Sequence, residues 1–174
     1  ISLVAKKFFP KSDIDFPDLN LNKSDSIINK YKKVSFGYNV LIGQNVQIGE
    51  NSIIGSNSII ESNVQIGKNC TIGSFVMLKS AILNDDVFIQ DGAKIGVKGF
   101  GFIPSKTKNM RTPHIGRVLL KKGVEIGAGC TIDRGSMSDT IIGENSYLDN
   151  QVHVAHNVKI GKNCMIAGQV GFAG

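Results

Sequence analysis

Two polar side chains interrupt a pattern that otherwise offers only small or turn-forming residues at their positions. Asp149 stands where glycine usually follows an apolar anchor, and His156 occupies the second turn position after Val154. An imidazole accepts a proton near neutral pH, and a carboxylate on its other nitrogen holds the tautomer and stabilises the cation that forms. Asp149 is expected to do this for His156, directly or through water. Gly174 follows His156 by one full repeat of eighteen residues, so its backbone amide is expected to point at the same place. A base and an amide donor so placed suit acyl transfer, in which an oxyanion must be stabilised beside the proton acceptor. His153 lies between Val152 and Val154 and is expected to project outward, so it does not converge with His156, and no metal is expected.

Two further irregularities carry candidate chemistry. Residues 97–117 leave the pattern and contain Gly99-Phe100-Gly101-Phe102, then Lys106, Lys108, Arg111 and His114. A long excursion on a repeat scaffold is expected to project from one edge, where binding groups concentrate. The second irregularity inserts four residues around Asp133-Arg134-Gly135.

What must position these groups is a six-residue beat. Ile42, Ile48, Ile54, Ile60, Ile66, Ile72 and Leu78 share one spacing; Leu83, Ile89 and Ile95 continue it, then Leu120, Ile126 and Ile132, then Ile142, Leu148, Val154, Ile160, Ile166 and Phe172. Two residues before most anchors lies a smaller inward residue such as Val40, Ser52, Cys70 or Ala93. Gly follows half of the anchors, which suits a sharp corner with a strained or left-handed backbone. Each hexad is thus a short strand and a turn, and three hexads close into a triangular coil that buries its face only by stacking. The expected fold is an all-β parallel β-helix, a triangular prism about 30 Å long. All four prolines fall outside the hexad runs, as a ladder of donating amides requires. The expected division is a lead-in over 1–33 and a solenoid over 34–174, with a projecting loop at 97–117.

Composition narrows the function. The formal net charge of +6 favours an acidic partner or substrate, such as a phosphorylated sugar nucleotide or an acidic carrier protein. No basic stripe with interleaved aromatics argues for nucleic acid, and no apolar run reaches membrane-spanning length. Cys70, Cys130 and Cys164 occupy inward positions with no metal-ligand spacing; core thiols in a reducing cytoplasm are expected.

From Gly99 onward the chain resembles a family. Gly-Phe-Gly-Phe at 99–102, His-Ile-Gly-Arg-Val at 114–118, Val-Glu-Ile-Gly-Ala at 124–128, Thr-Ile-Asp-Arg-Gly at 131–135, Asp-Asn-Gln at 149–151 and Ala-His-Asn-Val at 155–158 occur in order. They are similar to blocks of the UDP-3-O-acylglucosamine N-acyltransferases of lipid A biosynthesis, within the hexapeptide-repeat acyltransferases. The resemblance implies a left-handed coil, a homotrimer with sites between subunits, and transfer of a 3-hydroxyacyl chain from acyl carrier protein to the 2-amine of UDP-3-O-acylglucosamine. It makes His156 the general base, Asp149 its orienting partner and Gly174 an oxyanion donor, with Phe100, Phe102, Arg134 and Asn150 as substrate-binding candidates. The donor's phosphopantetheine arm enters as part of the substrate, and no bound cofactor is expected. The chain is expected to be the middle of such an enzyme, lacking most of a preceding uridine-binding domain and later coils. The implied location is the cytoplasm, extending to a peripheral place at the inner membrane.

The rival enzyme readings are the relative that acylates UDP-N-acetylglucosamine on oxygen and a coenzyme A-dependent sugar acetyltransferase. The O-acylating relative has His-Arg-Gly where this chain has Asp133-Arg134-Gly135, and commonly Asp-Cys where this chain has Asn157-Val158. The non-enzyme rival is a structural β-solenoid, which has no need of Asp149 or His156.

Overall fold

Each regular hexad folds as a two- or three-residue strand and a turn, and strands eighteen residues apart in the regular region pair in parallel, Ile53 with Thr71 and Ile59 with Met77. Here, in a computed structural model, residues 2–10, 12, 15, 17–23 and 28–174 are described. The rest of the expected lead-in, residues 1, 11, 13, 14, 16 and 24–27, lies outside the described residues. Three parallel sheets make the faces of the prism. One runs from Leu41–Ile42 to Gly171–Phe172, one from Ser35–Phe36 to Met165–Ile166, and one from Gln47–Ile48 to Lys159–Ile160. The anchors fill the axis: Ile42, Ile54, Ile60, Leu78, Ile89, Ile95, Ile126, Ile132 and Val154 are wholly buried.

Small inward residues do more than make room. Ser52 donates its hydroxyl to Gly67 O (3.0 Å) and accepts from Cys70 N (3.1 Å), stitching successive coils; Ser58 and Ser146 repeat the arrangement. Buried hydroxyls are thereby satisfied in both roles.

The corners work differently from the expectation. Among the glycines that follow anchors only Gly96 has positive φ; the left-handed residue is the one three before the anchor, usually Asn, as at Asn39, Asn45, Asn51, Asn57, Asn63 and Asn69. Asparagine tolerates that region because its short amide bonds locally. Here the amides also form ladders, Asn51 Nδ2 donating to Asn69 Oδ1 at 3.3 Å and Asn69 Nδ2 to Asp86 Oδ1 at 3.1 Å. The glycine after the anchor is required by close approach: a Cβ on Gly49 would stand 2.5 Å from the Gly67 carbonyl carbon of the next coil.

The excursion begins later than the sequence suggests. The strand Lys94–Lys98 continues past its anchor and, after an irregularity at Gly96, pairs Val97 with Asp133 and Lys98 with Arg134. Gly96 has φ +83°, and a Cβ there would overlap Lys79 O. The excursion then forms a hairpin, Phe102–Ile103 against Met110–Arg111, and rejoins the prism at Val118–Leu120. The second break lies against it, with Ile115 N donating to Ser136 O (2.8 Å) and Gly116 N to Gly135 O (3.0 Å). Two faults in the repeat therefore stack on one corner.

The N-terminal segment starts as a helix, Ser2–Phe8, and straps onto that corner. Asp15 meets Lys79 Nζ (3.3 Å) and Arg134 (3.1 Å) and accepts from Lys98 N (3.2 Å), while Lys79 also pairs with Glu61 (3.0 Å). Burial pushes the Asp15 carboxyl up, but Arg134, Lys79 and the Lys98 amide outweigh it and leave it below 3.8; burial likewise raises Glu61, and there it prevails. A depressed carboxylate contributes stability above its unfolded pKa and loses it as pH falls through the folded value. Asp15→Asn is therefore expected to cost about 1–2 kcal/mol at neutral pH, as for a part-exposed charge-assisted contact. Thermal melts of parent and variant should converge as pH drops below 3.8. A gap that persisted unchanged into strong acid would rule out the charge as its source.

Candidate active site around His156

The inserted residues of the second break grip one side chain. Asn157, left-handed at φ 68°, donates Nδ2 to Ser138 O (3.1 Å) and Ser138 Oγ (2.8 Å), and its Oδ1 accepts from Ser136 N (3.2 Å) and Ser136 Oγ (2.8 Å). Its own N–H donates to Thr140 Oγ1 at 2.9 Å. Ser136 N can only donate and Ser138 O can only accept, so the amide has one orientation. His156 Nδ1 lies 2.9 Å from that same Oδ1. It must be the donor, which leaves Nε2 with its lone pair.

Glycines flank the ring on both sides. A Cβ on Gly174 would lie 2.9 Å from His156 Nε2 and 3.0 Å from Cε1; one on Gly99 would lie 2.8 Å from Cβ and from Cδ2. Val154 pairs with Phe172 in register, which puts Gly174 one coil beyond His156. His153 takes the outward position and bonds Thr131 Oγ1 through Nδ1 at 2.7 Å, apart from His156.

Asp149 does not hold His156. Its Oδ1 accepts from Asn150 N (2.7 Å) and its Oδ2 from Gly168 N (3.1 Å), capping a neighbouring corner, and the Nδ1 partner is Asn157 instead. Asn150 braces the same corner by accepting from Ala128 N at 2.8 Å. Arg134 is buried and acts as a strut: Nε donates to His114 O (3.0 Å), and one terminal nitrogen to Asp15 and to Gly96 O (3.2 Å). Phe100 and Phe102 meet edge to face at 4.8 Å at the base of the hairpin, with Arg111 4.8 Å over the Phe102 ring. Phe100 is 83% exposed, so the pair offers an aromatic surface.

Three residues near His156 have no role assigned to them in the sequence: Asn157 stands within the Ala-His-Asn-Val block, and His114 and Asp133 within the two irregular segments. His114 is buried with its ring 4.9 Å from that of His156 at 80°. Its Nδ1 lies 3.1 Å from Thr112 O and so carries the proton, while Nε2 has no partner, a buried acceptor that costs about 1–3 kcal/mol. Burial chiefly lowers His114 to about 4, opposed by the Thr112 bond and helped by Lys98, His156 and Arg134. Asp133 is buried too, and burial raises its carboxyl against the attraction of His153, His156, Lys98 and Arg134. The arrangement offers an imidazole of fixed tautomer in a corner flanked by Gly99 and Gly174. It can accept a proton from a nucleophile.

Among the described residues no helix is long and apolar enough to cross a membrane. The bacterial transferase hexapeptide (six repeats) family matches residues 45–80 and 139–174. The UDP-3-O-acylglucosamine N-acyltransferase of Granulibacter bethesdensis is 53% identical over 97 residues, 56% of this chain and 28% of the relative. That of Bradyrhizobium diazoefficiens is 48% identical over 97 residues, 55% of this chain and 27% of the relative. The matched stretch is thus under a third of the length of these relatives. Among solved structures, the UDP-N-acetylglucosamine acyltransferase of Francisella novicida superposes with a TM-score of 0.61 at 23% identity, covering 76% of this chain and 45% of that one. AntD, an N-acyltransferase from Bacillus cereus, gives 0.57 at 20%, covering 82% of each; both likenesses bear on the fold. Two stretches of the chain thus match bacterial transferase hexapeptides, and over more than half of its length it is similar to UDP-3-O-acylglucosamine N-acyltransferases.

Proposed function

We propose that the chain is the catalytic middle of an N-acyltransferase of lipid A biosynthesis. His156 Nε2 takes a proton from the 2-amine of UDP-3-O-acylglucosamine as the nitrogen attacks the thioester of a 3-hydroxyacyl chain on acyl carrier protein. The C–N bond forms, the C–S bond breaks, and the phosphopantetheine thiolate leaves with the proton returned by His156. The Gly174 amide stabilises the oxyanion, and Phe100 and Phe102 line the approach. The observation that carries this reading is the Asn157 clamp, which leaves the lone pair on the nitrogen beside Gly174. The net charge of +6 suits an acidic carrier. On this reading residues 1–33 lead in from a uridine-binding domain, and the enzyme works in the cytoplasm.

A substrate panel on the full-length protein tests it: UDP-3-O-acylglucosamine against UDP-N-acetylglucosamine, each with acyl carrier protein or coenzyme A thioesters. Turnover with the amine and carrier thioester is expected. Preference for the hydroxyl acceptor, or for coenzyme A, would move the protein to the rival readings.

Assembly belongs to the same proposal. On the face from Ser35–Phe36 to Met165–Ile166 the outward row includes Ile53, Phe88, Tyr147 and Met165, 49%, 38%, 44% and 86% exposed. A groove of about 490 Å³ there is lined by Glu125, Tyr147, Asp149 and Met165. A closed trimer would cover such a row. Sedimentation at micromolar concentration is expected to give three times 18.7 kDa. A clean monomer would remove the intersubunit site from the proposal.

A further inference from the structure

His114 is gripped on every side except one. Its N–H donates to Ser12 O (3.0 Å), its carbonyl accepts from Arg134 Nε (3.0 Å), and its Nδ1–H donates to Thr112 O (3.1 Å). Nε2 has no partner among the described residues. That nitrogen lies 2.8 Å from the point where a Gly99 Cβ would stand, and His156 Cβ and Cδ2 are each 2.8 Å from the same point. An unpartnered acceptor on a ring that meets a second imidazole edge to face, centroids 4.9 Å apart at 80°, serves little purpose while that second ring is neutral. An imidazolium, however, spreads its charge over its C–H as well as its N–H groups, and in poorly solvated surroundings a lone pair beside it is stabilising.

Resting on the acyl-transfer reading above, we propose that His114 is a positioning residue for that reaction, its Nε2 lone pair stabilising His156 while His156 holds the proton taken from the amine. The other charged and titratable groups around the two rings are Lys98 on the strand Lys94–Lys98, Asp133 and Arg134 on Thr131–Arg134, His153 beside His156, and Asp15 on the strap. Lys98 and Arg134 disfavour a new cation and Asp133 favours one. Leucine would fill the volume of His114 and remove the unpartnered Nε2 at the cost of the bond to Thr112 O, so packing alone does not account for the nitrogen.

The test uses His114→Leu and His114→Gln in the full-length protein; glutamine keeps an acceptor and a donor, and leucine keeps neither. The leucine variant is expected to melt no lower than the parent yet turn over about 10-fold more slowly, with KM little changed and the acid limb of the pH–rate profile moved to lower pH. Glutamine should restore most of the rate. Unchanged turnover and profile in the leucine variant would overturn the proposal, as would failure of that variant to fold or an equal loss in both variants that follows their melting temperatures. If the parent itself transfers no acyl group to the amine, the acyl-transfer reading fails on its own account. Nitrogen NMR of His156 across pH then still decides the pairing: a protonation midpoint moved to lower pH in the leucine variant supports it, and an unmoved midpoint overturns it.

Discussion

Replacing His156 with alanine in the full-length protein is expected to cut turnover about 10²–10⁴-fold, the usual worth of a positioned general base. The solenoid should survive, because the side chain sits on a corner and, among the described residues, makes one hydrogen bond, to Asn157. The core it flanks is closed by Val154 and Ile132 rather than by the imidazole. Melting within a few degrees of the parent, together with collapse of the amine-acylating rate, is the outcome that identifies the base. Near-normal turnover by a folded variant would assign proton removal to another group.

Asn157→Leu is expected to damage both stability and rate. The substitution removes acceptors for Ser136 N and Ser136 Oγ, donors for Ser138 O and Oγ, and the partner of His156 Nδ1. Leaving these groups unpaired should cost about 2–3 kcal/mol. The imidazole, no longer committed to one tautomer, should also lose on the order of 10²-fold in turnover, less than a buried triad loses on the analogous change. Asn157→Asp separates the two effects. It retains an acceptor for the Nδ1 proton while losing the donors to Ser138, so it should unfold earlier than the parent yet catalyse better than the leucine variant. Equal rates for the two would mean that the tautomer is set by something other than residue 157. Equilibrium denaturation and steady-state kinetics on both proteins give the answer.

Periodicity made most of the fold legible. A residue's place modulo six tells whether it is an anchor, a small inward residue or an outward one, and Ile42 through Phe172 obey that rule because a stacked strand has no other way to bury its inner face. The chemical reason for a corner residue is not encoded in its place. Glycine after an anchor reads equally as left-handed backbone or as close approach, and only the position of the next coil distinguishes them. The site fared likewise. His156 stood out because a base is unusual at a corner, but its partner depended on where residues 135–139 fold back, and an insertion has no periodicity from which to read that. So Asp149, chemically the more obvious partner, belongs to Gly168, and Arg134, a substrate-binding candidate, is taken by His114, Gly96 and Asp15.

The pairing of the two faults has a consequence for how such a protein can vary. Ile95, Ile132 and Val154 stay in register through both interruptions, so the displacement that builds the His156 corner is confined to two coils and heals in the next. A local defect that leaves the lattice on either side undisturbed behaves like a dopant in a one-dimensional crystal. The prism can therefore lengthen or shorten by whole turns of eighteen residues away from the defect without moving the imidazole. An insertion of any other length must loop out of the prism, as residues 97–117 and 135–139 do, or shift the anchors of every coil beyond it.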